Sequence, residues 1–99
     1  MAVKVIWTDS ALADLEQIVR YIAAEDRAAA RRFGMTLISR VEETALFPRK
    51  GRIVPEENVE MLREIILAPY RIIYEIADGD RVLYVLRVWH SARGAIPLR

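Results

Sequence analysis

The second half of the chain carries three runs of apolar and β-branched residues, separated by short breaks. The runs cover about residues 60–67, 70–77 and 81–90. Ala68-Pro69 forms the first break, and in the second break Asp78-Gly79 can adopt the positive φ angles that hairpin turns require. Successive strands joined by such short turns pair with one another, so the sequence predicts a three-stranded antiparallel meander.

The first half of the chain has helical periodicity. Apolar residues recur at spacings of three and four over residues 10–24, and at steps of four over residues 27–47, where Pro48 ends the pattern. These spacings predict two amphipathic helices, which the short connection between them folds into an antiparallel hairpin. The N-cap candidates are Thr8, Asp9 and Ser10 for the first helix and Asp26 for the second.

A short strand is predicted ahead of the helices, because Val3, Val5 and Trp7 stand at alternate positions. Residues 48–58 are rich in proline, glycine and charge, and they are predicted to form a loop. The order β-α-α-β-β-β indicates an α+β fold in which the helical hairpin packs on one face of the sheet. We expect residues 1–99 to form a single domain.

Composition excludes several classes of protein. The chain has no cysteine, so disulfides and thiolate metal sites are excluded and a reducing compartment is expected. The apolar runs are shorter than a membrane span, and the first residues lack the long apolar core of a signal peptide. We therefore expect a cytoplasmic protein that does not bind membranes. Hydrophobic residues make up 54% of the chain, which indicates that another chain covers part of its surface.

Arginines interrupt the predicted strands at Arg63, Arg71 and Arg87. An unpaired buried charge costs several kcal/mol, so these positions indicate a sheet face that meets an anionic or polar partner. The charge balance disfavours nucleic acid as that partner, because the net charge is only +1 and the pI is about 8.1.

The turn between the last two predicted strands decides which side chains face each other. A three-residue turn, Asp78-Gly79-Asp80, pairs Arg71 with Arg87 on a face shared with Trp89. A two-residue turn instead pairs Arg71 with Leu86. We favour the three-residue turn, since it keeps both arginines off the face that packs against the helices.

Several short stretches occur in order along nearly the whole chain and are shared with a known family. They are Asp14-Leu15, Tyr21-Ile22-Ala23, Pro48 with Gly51, Arg63-Glu64, Tyr70-Arg71-Ile72-Ile73-Tyr74-Glu75-Ile76 and Val85-Leu86-Arg87-Val88-Trp89-His90-Ser91-Ala92-Arg93. Together they resemble the RelE/ParE superfamily of toxins from bacterial type II toxin–antitoxin modules, and its ParE-like members most. One departure is Asp9-Ser10, which stands where the family often has Ser-Pro before the first helix.

The resemblance implies a growth-inhibiting protein that a cognate antitoxin neutralises by wrapping its C-terminal segment around apolar grooves of the toxin. The residues expected to contact the antitoxin are Ile18, Tyr21, Phe33, Leu37 and Trp89. ParE-like members bind DNA gyrase, whereas RelE-like members are ribonucleases that cut messenger RNA on the ribosome. The sequence has no metal-ligand spacing and no phosphate-binding loop, so no metal and no cofactor are expected.

A nuclease of this superfamily would use Arg71 and His90 as its catalytic residues. Arg71 matches the strand arginine that contacts the scissile phosphate in nuclease members, and His90 stands near a histidine that some of them carry. Ser91, however, replaces the aromatic residue that follows in those members, and the lysines that others use are scarce. The residues expected to contact the target are Arg49, Lys50, Arg63, Arg87 and Arg93.

We therefore favour a ParE-like inhibitor of DNA gyrase. The alternatives are a RelE-like, ribosome-dependent mRNA endoribonuclease and a non-toxic relic that still binds an antitoxin. The candidate residues also have structural interpretations. Arg71 can pair with Glu64 or Glu75, His90 can be a strand-end residue with satisfied hydrogen bonds, and Trp89 can belong to the core.

Overall fold

The computed structural model describes residues 3–98 and shows an α+β fold. The predicted order of a strand, a helical hairpin and an antiparallel meander is confirmed. A short 3-10 helix at Pro48–Lys50 follows the second α-helix. The elements are β1 (Lys4–Trp7), α1 (Asp9–Ala23), α2 (Arg27–Leu46), β2 (Arg52–Ile53), β3 (Leu62–Leu67), β4 (Tyr70–Ala77) and β5 (Val82–His90).

Each helix begins at a side-chain cap. The Thr8 hydroxyl accepts a hydrogen bond from the Ala11 N–H at 3.1 Å, and the Asp26 carboxylate accepts one from the Ala29 N–H at 3.0 Å. These bonds satisfy N–H groups that have no partner inside the helix. Of the helices among residues 3–98, none is long and apolar enough to cross a membrane.

The five strands form one mixed sheet in the order β1-β5-β4-β3-β2. The β3, β4 and β5 strands pair antiparallel, as predicted, whereas β1 pairs with β5 in parallel. The loop predicted over residues 48–58 contains the two-residue strand β2, which pairs with β3 through Arg52 and Glu64. The sheet therefore contains one more strand than the sequence indicated, and it is not purely antiparallel.

The predicted register of the last hairpin is wrong. Ala77 pairs with Val82, so the turn between β4 and β5 spans residues 78–81. Asp78, Gly79 and Asp80 have φ angles of 51°, 58° and 65°, and this left-handed stretch makes the turn longer than either predicted form. This turn and an irregularity in β5 together place Arg71 opposite Trp89, and neither Arg87 nor Leu86 faces Arg71.

A β-bulge in β5 changes which side chains face the helices. Tyr74 pairs with Val85 but its neighbour Ile73 pairs with Arg87, so Leu86 is the extra residue. The Thr8 hydroxyl lies 3.0 Å from the Val85 carbonyl oxygen and 3.1 Å from that of Leu86, so it can donate to the carbonyls at the bulge.

The sheet separates two hydrophobic cores. The larger core lies between the sheet and the helices and contains Ala11, Leu37, Val41, Ala45, Ile72, Tyr74, Ile76, Leu83, Val85 and Val88. The smaller core lies on the other face and contains Val54, Leu62, Ile73 and Trp89, with Leu86, Ile96 and Leu98 packed against it. The four-residue turn places Leu83 and Val85 on the helix face, contrary to the predicted alternation, and the bulge then returns Trp89 to the opposite face.

Candidate functional site

Arg71 lies in the middle of a four-residue ionic cluster on the sheet face away from the helices. Its Nε donates to Glu64 Oε1 at 2.6 Å, and its two terminal nitrogens donate to the two oxygens of Glu56 at 2.6 and 2.8 Å. The other oxygen of Glu64 accepts from Arg52 Nε. The cluster, referred to below as the Arg71 cluster, therefore contains two arginines and two glutamates and has no net formal charge.

Burial differs sharply within the Arg71 cluster. The side chain of Glu64 is fully buried and that of Arg71 is 11% exposed, whereas Glu56 is 48% exposed. The hydrogen bonds from Arg71 lower the pKa of Glu56 from 4.5 to about 2, and the bonds to Glu56 are the largest cause of the raised pKa of Arg71. Both charges are thus held over the whole physiological pH range.

His90 lies on the opposite side of the sheet from Arg71. It pairs with Tyr70, while the next pair joins Arg71 to Trp89, so alternation directs the two side chains to different faces. The His90 ring packs edge-on against Tyr70 with the ring centroids 5.2 Å apart, and its Nδ1 accepts from the Ala92 N–H at 3.0 Å. The structure does not bring the two candidate catalytic residues together.

A groove of about 400 Å³ separates α1 from the ends of β4 and β5. Its lining residues are Asp14, Gln17, Ile18, Tyr21, Tyr70, Val88, His90 and Arg93. The groove contains residues for which the sequence predicts three different roles. Ile18 and Tyr21 are predicted to contact an antitoxin. His90 is a candidate catalytic residue, and Arg93 is predicted to contact a target. Phe33, another expected antitoxin contact, packs on Tyr70 with the ring centroids 5.3 Å apart.

Two of the residues expected to bind an antitoxin are buried. Leu37 has no exposed surface and belongs to the core between the helices and the sheet. Trp89 is 5% exposed, and its Nε1 donates to the Gly94 carbonyl at 3.1 Å. The guanidinium groups of Arg87 and Arg93 lie 5.0 and 4.1 Å from the centre of its ring. A partner can reach either residue only by displacing the groups that cover it.

Three of the arginines expected to contact a target bind within the chain. Arg49 bridges Asp80 and Glu60, and its bonds to Asp80 are the largest cause of the lowered pKa of Asp80. Arg63 donates to three backbone carbonyls, those of Glu60, Arg49 and Gly51. Arg87 forms an ion pair with Asp14. Lys50 is exposed, and among residues 3–98 it has no carboxylate within ion-pair distance.

Asp14 joins α1 to the last part of β5, which extends past the residues that pair with β1. Its carboxylate accepts from Arg87 Nε at 2.7 Å, from Arg87 Nη2 at 2.8 Å and from the Val88 N–H at 3.0 Å. Asp14 is 8% exposed, and these bonds raise the pKa of Arg87. The carboxylate thereby fixes one wall of the groove.

The sequence did not reveal that Asp14 and Glu56 bind arginines. Asp14 stands within a stretch shared with a known family, and Glu56 stands within the loop predicted over residues 48–58. One sequence signal indicates a buried role for Asp14. It stands four residues before Ile18, so it lies on the apolar face of the first helix although it is charged.

Comparison with known proteins identifies the family to which the chain is similar. Residues 5–94 match the family model described as the ParE toxin of the type II toxin–antitoxin system parDE. The chain is 36% identical to Toxin RelE2 of Caulobacter vibrioides, over 91% of this chain and 97% of the relative. It is 33% identical to the putative toxin Y4kP of Sinorhizobium fredii, over 84% of this chain and 85% of the relative.

Solved structures share the fold at low sequence identity. A chromosomal ParDE toxin–antitoxin system from P. aeruginosa matches with a TM-score of 0.72 and 20% identity, covering 90% of this chain and 96% of that chain. A mutant of the E. coli toxin RelE in complex with an antitoxin RelBc peptide matches with a TM-score of 0.61 and 19% identity, covering 91% and 84%. Both ParE and RelE structures therefore have this arrangement of strands and helices.

Proposed function

The chain belongs to the ParE/RelE family of toxins from type II toxin–antitoxin systems, and we propose that it inhibits bacterial growth as a ParE-like inhibitor of DNA gyrase. It would act in the cytoplasm by binding its target rather than by hydrolysing RNA. The observation that carries the choice between target classes is the separation of Arg71 from His90 by the sheet.

RNA cleavage by a histidine and an arginine needs both groups at one phosphate. The acid or base must lie within hydrogen-bond reach of the reacting oxygen, and the cation must lie beside the developing negative charge. His90 instead lines the groove beside α1, while Arg71 lies on the other sheet face among carboxylates. The geometry therefore supports a binding protein better than a nuclease built on this pair.

The charge around Arg71 supports the same choice. Glu56 and Glu64 offset the charges of Arg71 and Arg52, so a phosphate approaching this face meets a cluster with no net formal charge. Catalysis by electrostatic stabilisation requires cations that are directed at the site where negative charge develops. In this structure the donors of Arg71 are directed at its own carboxylates.

We further propose that a cognate antitoxin neutralises the protein by covering the groove between α1 and β5. Ile18 and Tyr21 line this groove, and the Tyr21 side chain is 79% exposed, so it offers a large apolar surface to a partner. The solved structure of an E. coli RelE mutant in complex with an antitoxin peptide supports a partner of this kind. Replacing Tyr21 by Ala should weaken capture by the antitoxin without unfolding the toxin.

Purified protein tests the proposed target directly. We expect it to inhibit supercoiling of relaxed plasmid by DNA gyrase, and we expect Lys50→Ala to inhibit less because Lys50 is an exposed cation of the predicted target surface. Lys4→Ala is the matched control, since Lys4 is also exposed and was not assigned to that surface. A folded wild-type protein that leaves supercoiling unchanged at excess over gyrase refutes the proposal.

The second candidate function is ribosome-dependent cleavage of messenger RNA. The relative named Toxin RelE2 favours it, together with the position of Arg71 on a central strand. In this case the protein cuts ribosome-bound message, and Arg71→Ala abolishes the cleavage. A protein that does neither, while still binding its antitoxin, is the non-toxic relic.

A further inference from the structure

The outer side of Arg71 is covered by a residue that the chain itself supplies. Glu56 lies in the turn after β2, and its carboxylate accepts from both terminal nitrogens of Arg71. Glu56 is 48% exposed, whereas the side chain of Arg71 is 11% exposed. Glu56 is therefore the outermost member of the Arg71 cluster, and an external group can replace it without opening either core.

The turn that carries Glu56 is anchored on its inner side. Val54 is fully buried in the smaller core, and its carbonyl accepts hydrogen bonds from the Glu57 and Asn58 N–H groups at 3.2 and 2.9 Å. Asn58 takes a left-handed φ of 51°, which closes this turn. The anchor is thus independent of the contact between Glu56 and Arg71, and the Glu56 side chain can leave Arg71 while Val54 stays in place.

The inner half of the Arg71 cluster forms a fixed binding site. Glu64 is fully buried and accepts from the Nε atoms of Arg71 and Arg52 through its two oxygens. With its Nε bound, the Arg71 guanidinium keeps its orientation and presents its two terminal nitrogens outward, as a fork. A fork of this kind binds a carboxylate through two parallel hydrogen bonds.

We propose that Arg71 is a binding site for one carboxylate of a protein partner, and that Glu56 is an internal occupant which the partner's carboxylate replaces. Charge supports a monovalent ligand. When Glu56 leaves, two arginines and one glutamate remain, and their net charge of one positive unit matches a single carboxylate. The free protein keeps the site closed until a partner that is bound elsewhere brings its own acidic side chain.

The surroundings of the site favour a protein over a nucleic acid. Ile66 lies opposite Arg71 on β3 and is 44% exposed, and Ile53 on β2 is 36% exposed. Glu75 is exposed four residues along the same face of β4, so a chain of phosphates meets a further negative charge there. An acidic side chain that is flanked by apolar residues complements this surface better than a polyanion does.

Chemical rescue of Glu56→Ala tests the inference in the purified full-length chain. Sodium acetate is titrated against sodium chloride at constant ionic strength, and two quantities are followed: the thermal midpoint and the ¹⁵N–¹H resonance of Arg71 Nε. Acetate should raise the midpoint of the variant and shift this resonance. Acetate should bind the variant roughly tenfold more tightly than it binds the wild type, because the carboxylate of Glu56 already occupies the wild-type site.

Two further variants keep the test decisive. Glu75→Ala removes the same charge from the same sheet face but leaves Glu56 in place, so it should respond to acetate like the wild type. Glu56→Ser also removes the internal carboxylate from the terminal nitrogens of Arg71, and it replaces Glu56→Ala if that variant fails to fold. No response to acetate in either Glu56 variant overturns the inference, and so does a wild-type response as strong as theirs.

Inorganic phosphate at the same ionic strength distinguishes the two sources of anion. Rescue by phosphate without rescue by acetate overturns the assignment to a carboxylate and points to a nucleic-acid backbone. The inference goes beyond the proposed function, because acetate binding is measured without gyrase, ribosome or antitoxin. Failure of the rescue and failure to inhibit gyrase are therefore separate results.

Discussion

Replacing Glu64 by Gln tests how much of the fold depends on a buried charge. The side chain of Glu64 is fully buried and receives hydrogen bonds from Arg52 and Arg71. Glutamine has the same shape, but it presents an amide N–H₂ to one of the two arginines where the carboxylate had an oxygen. One guanidinium therefore faces a donor, and the cluster gains a net positive charge.

The expected loss follows from the exposure of the two arginines. Removing one partner of a buried ion pair costs about 3 to 5 kcal/mol. Arg52 is 59% exposed and is hydrated when its bond is lost, and Arg71 keeps Glu56, so the lower end applies, about 3 kcal/mol. For a domain of this length each kcal/mol lowers the thermal midpoint by about 4 to 8 °C, which gives a decrease of roughly 12 to 24 °C.

Urea unfolding followed by circular dichroism measures this loss, with Glu75→Gln as the control. Glu75 is exposed on the neighbouring strand β4, and its replacement should change the free energy of unfolding by no more than about 0.5 kcal/mol. A Glu64→Gln variant that matches the wild type within the same margin refutes the reasoning, since it shows that the buried carboxylate does not stabilise the two arginines.

Three other perturbations test separate features. Gly51→Ala should destabilise the fold by about 1 to 3 kcal/mol in urea unfolding, because the added Cβ would lie 2.1 Å from the Tyr74 hydroxyl, and an unchanged unfolding midpoint contradicts the clash. Asp14→Asn should cost about 2 kcal/mol by the same measurement, because Arg87 loses a charged acceptor, and an unchanged unfolding midpoint contradicts this role. Glu56 has a folded-state pKa of about 2 against 4.5, so its contribution is fully present above pH 4.5 and is lost as the pH falls towards 2. The stability difference between wild type and Glu56→Gln should therefore shrink between pH 7 and pH 2.5, and a constant difference contradicts the ion pair.

Local sequence signals predicted the elements well, because each depends on neighbours in the chain. The apolar spacing gave both helices to within a residue or so at each end, and Asp26 caps α2 as expected. Among the three candidate caps of α1, Thr8 is the one used, since its N–H and hydroxyl also bind β5. That choice depends on tertiary contacts which the local sequence does not contain.

The register of the last hairpin could not be predicted, because it depends on two irregularities. Three successive residues of the turn have positive φ. Two of them are aspartates, and aspartate adopts negative φ in most structures, so its presence does not predict this conformation. The bulge at Leu86 then shifts the pairing a second time. Alternation along an unbroken strand placed Leu83 and Val85 on the wrong face, although it placed Trp89 on the face of Arg71 correctly.

The candidate site could be predicted only in part. The pairing of Arg71 with Glu64 was one of the structural interpretations, and it is present. Glu56 could not be assigned to Arg71, because the two are fifteen positions apart and meet only when the loop before β3 folds back over the sheet. The separation of Arg71 from His90 likewise depends on the pairing of β4 with β5. That pairing decides whether the two side chains lie in one site or on opposite faces of the sheet.

The parallel pairing of β1 with β5 has a consequence for synthesis of the protein. Lys4 pairs with Val82 and Trp7 with Val85, so β1 has no strand partner until these residues of β5 have left the ribosome. Contacts this distant in sequence form late and slow folding. The groove contains His90 and Arg93, so a chain interrupted before these residues lacks part of the surface at which we expect the antitoxin to bind.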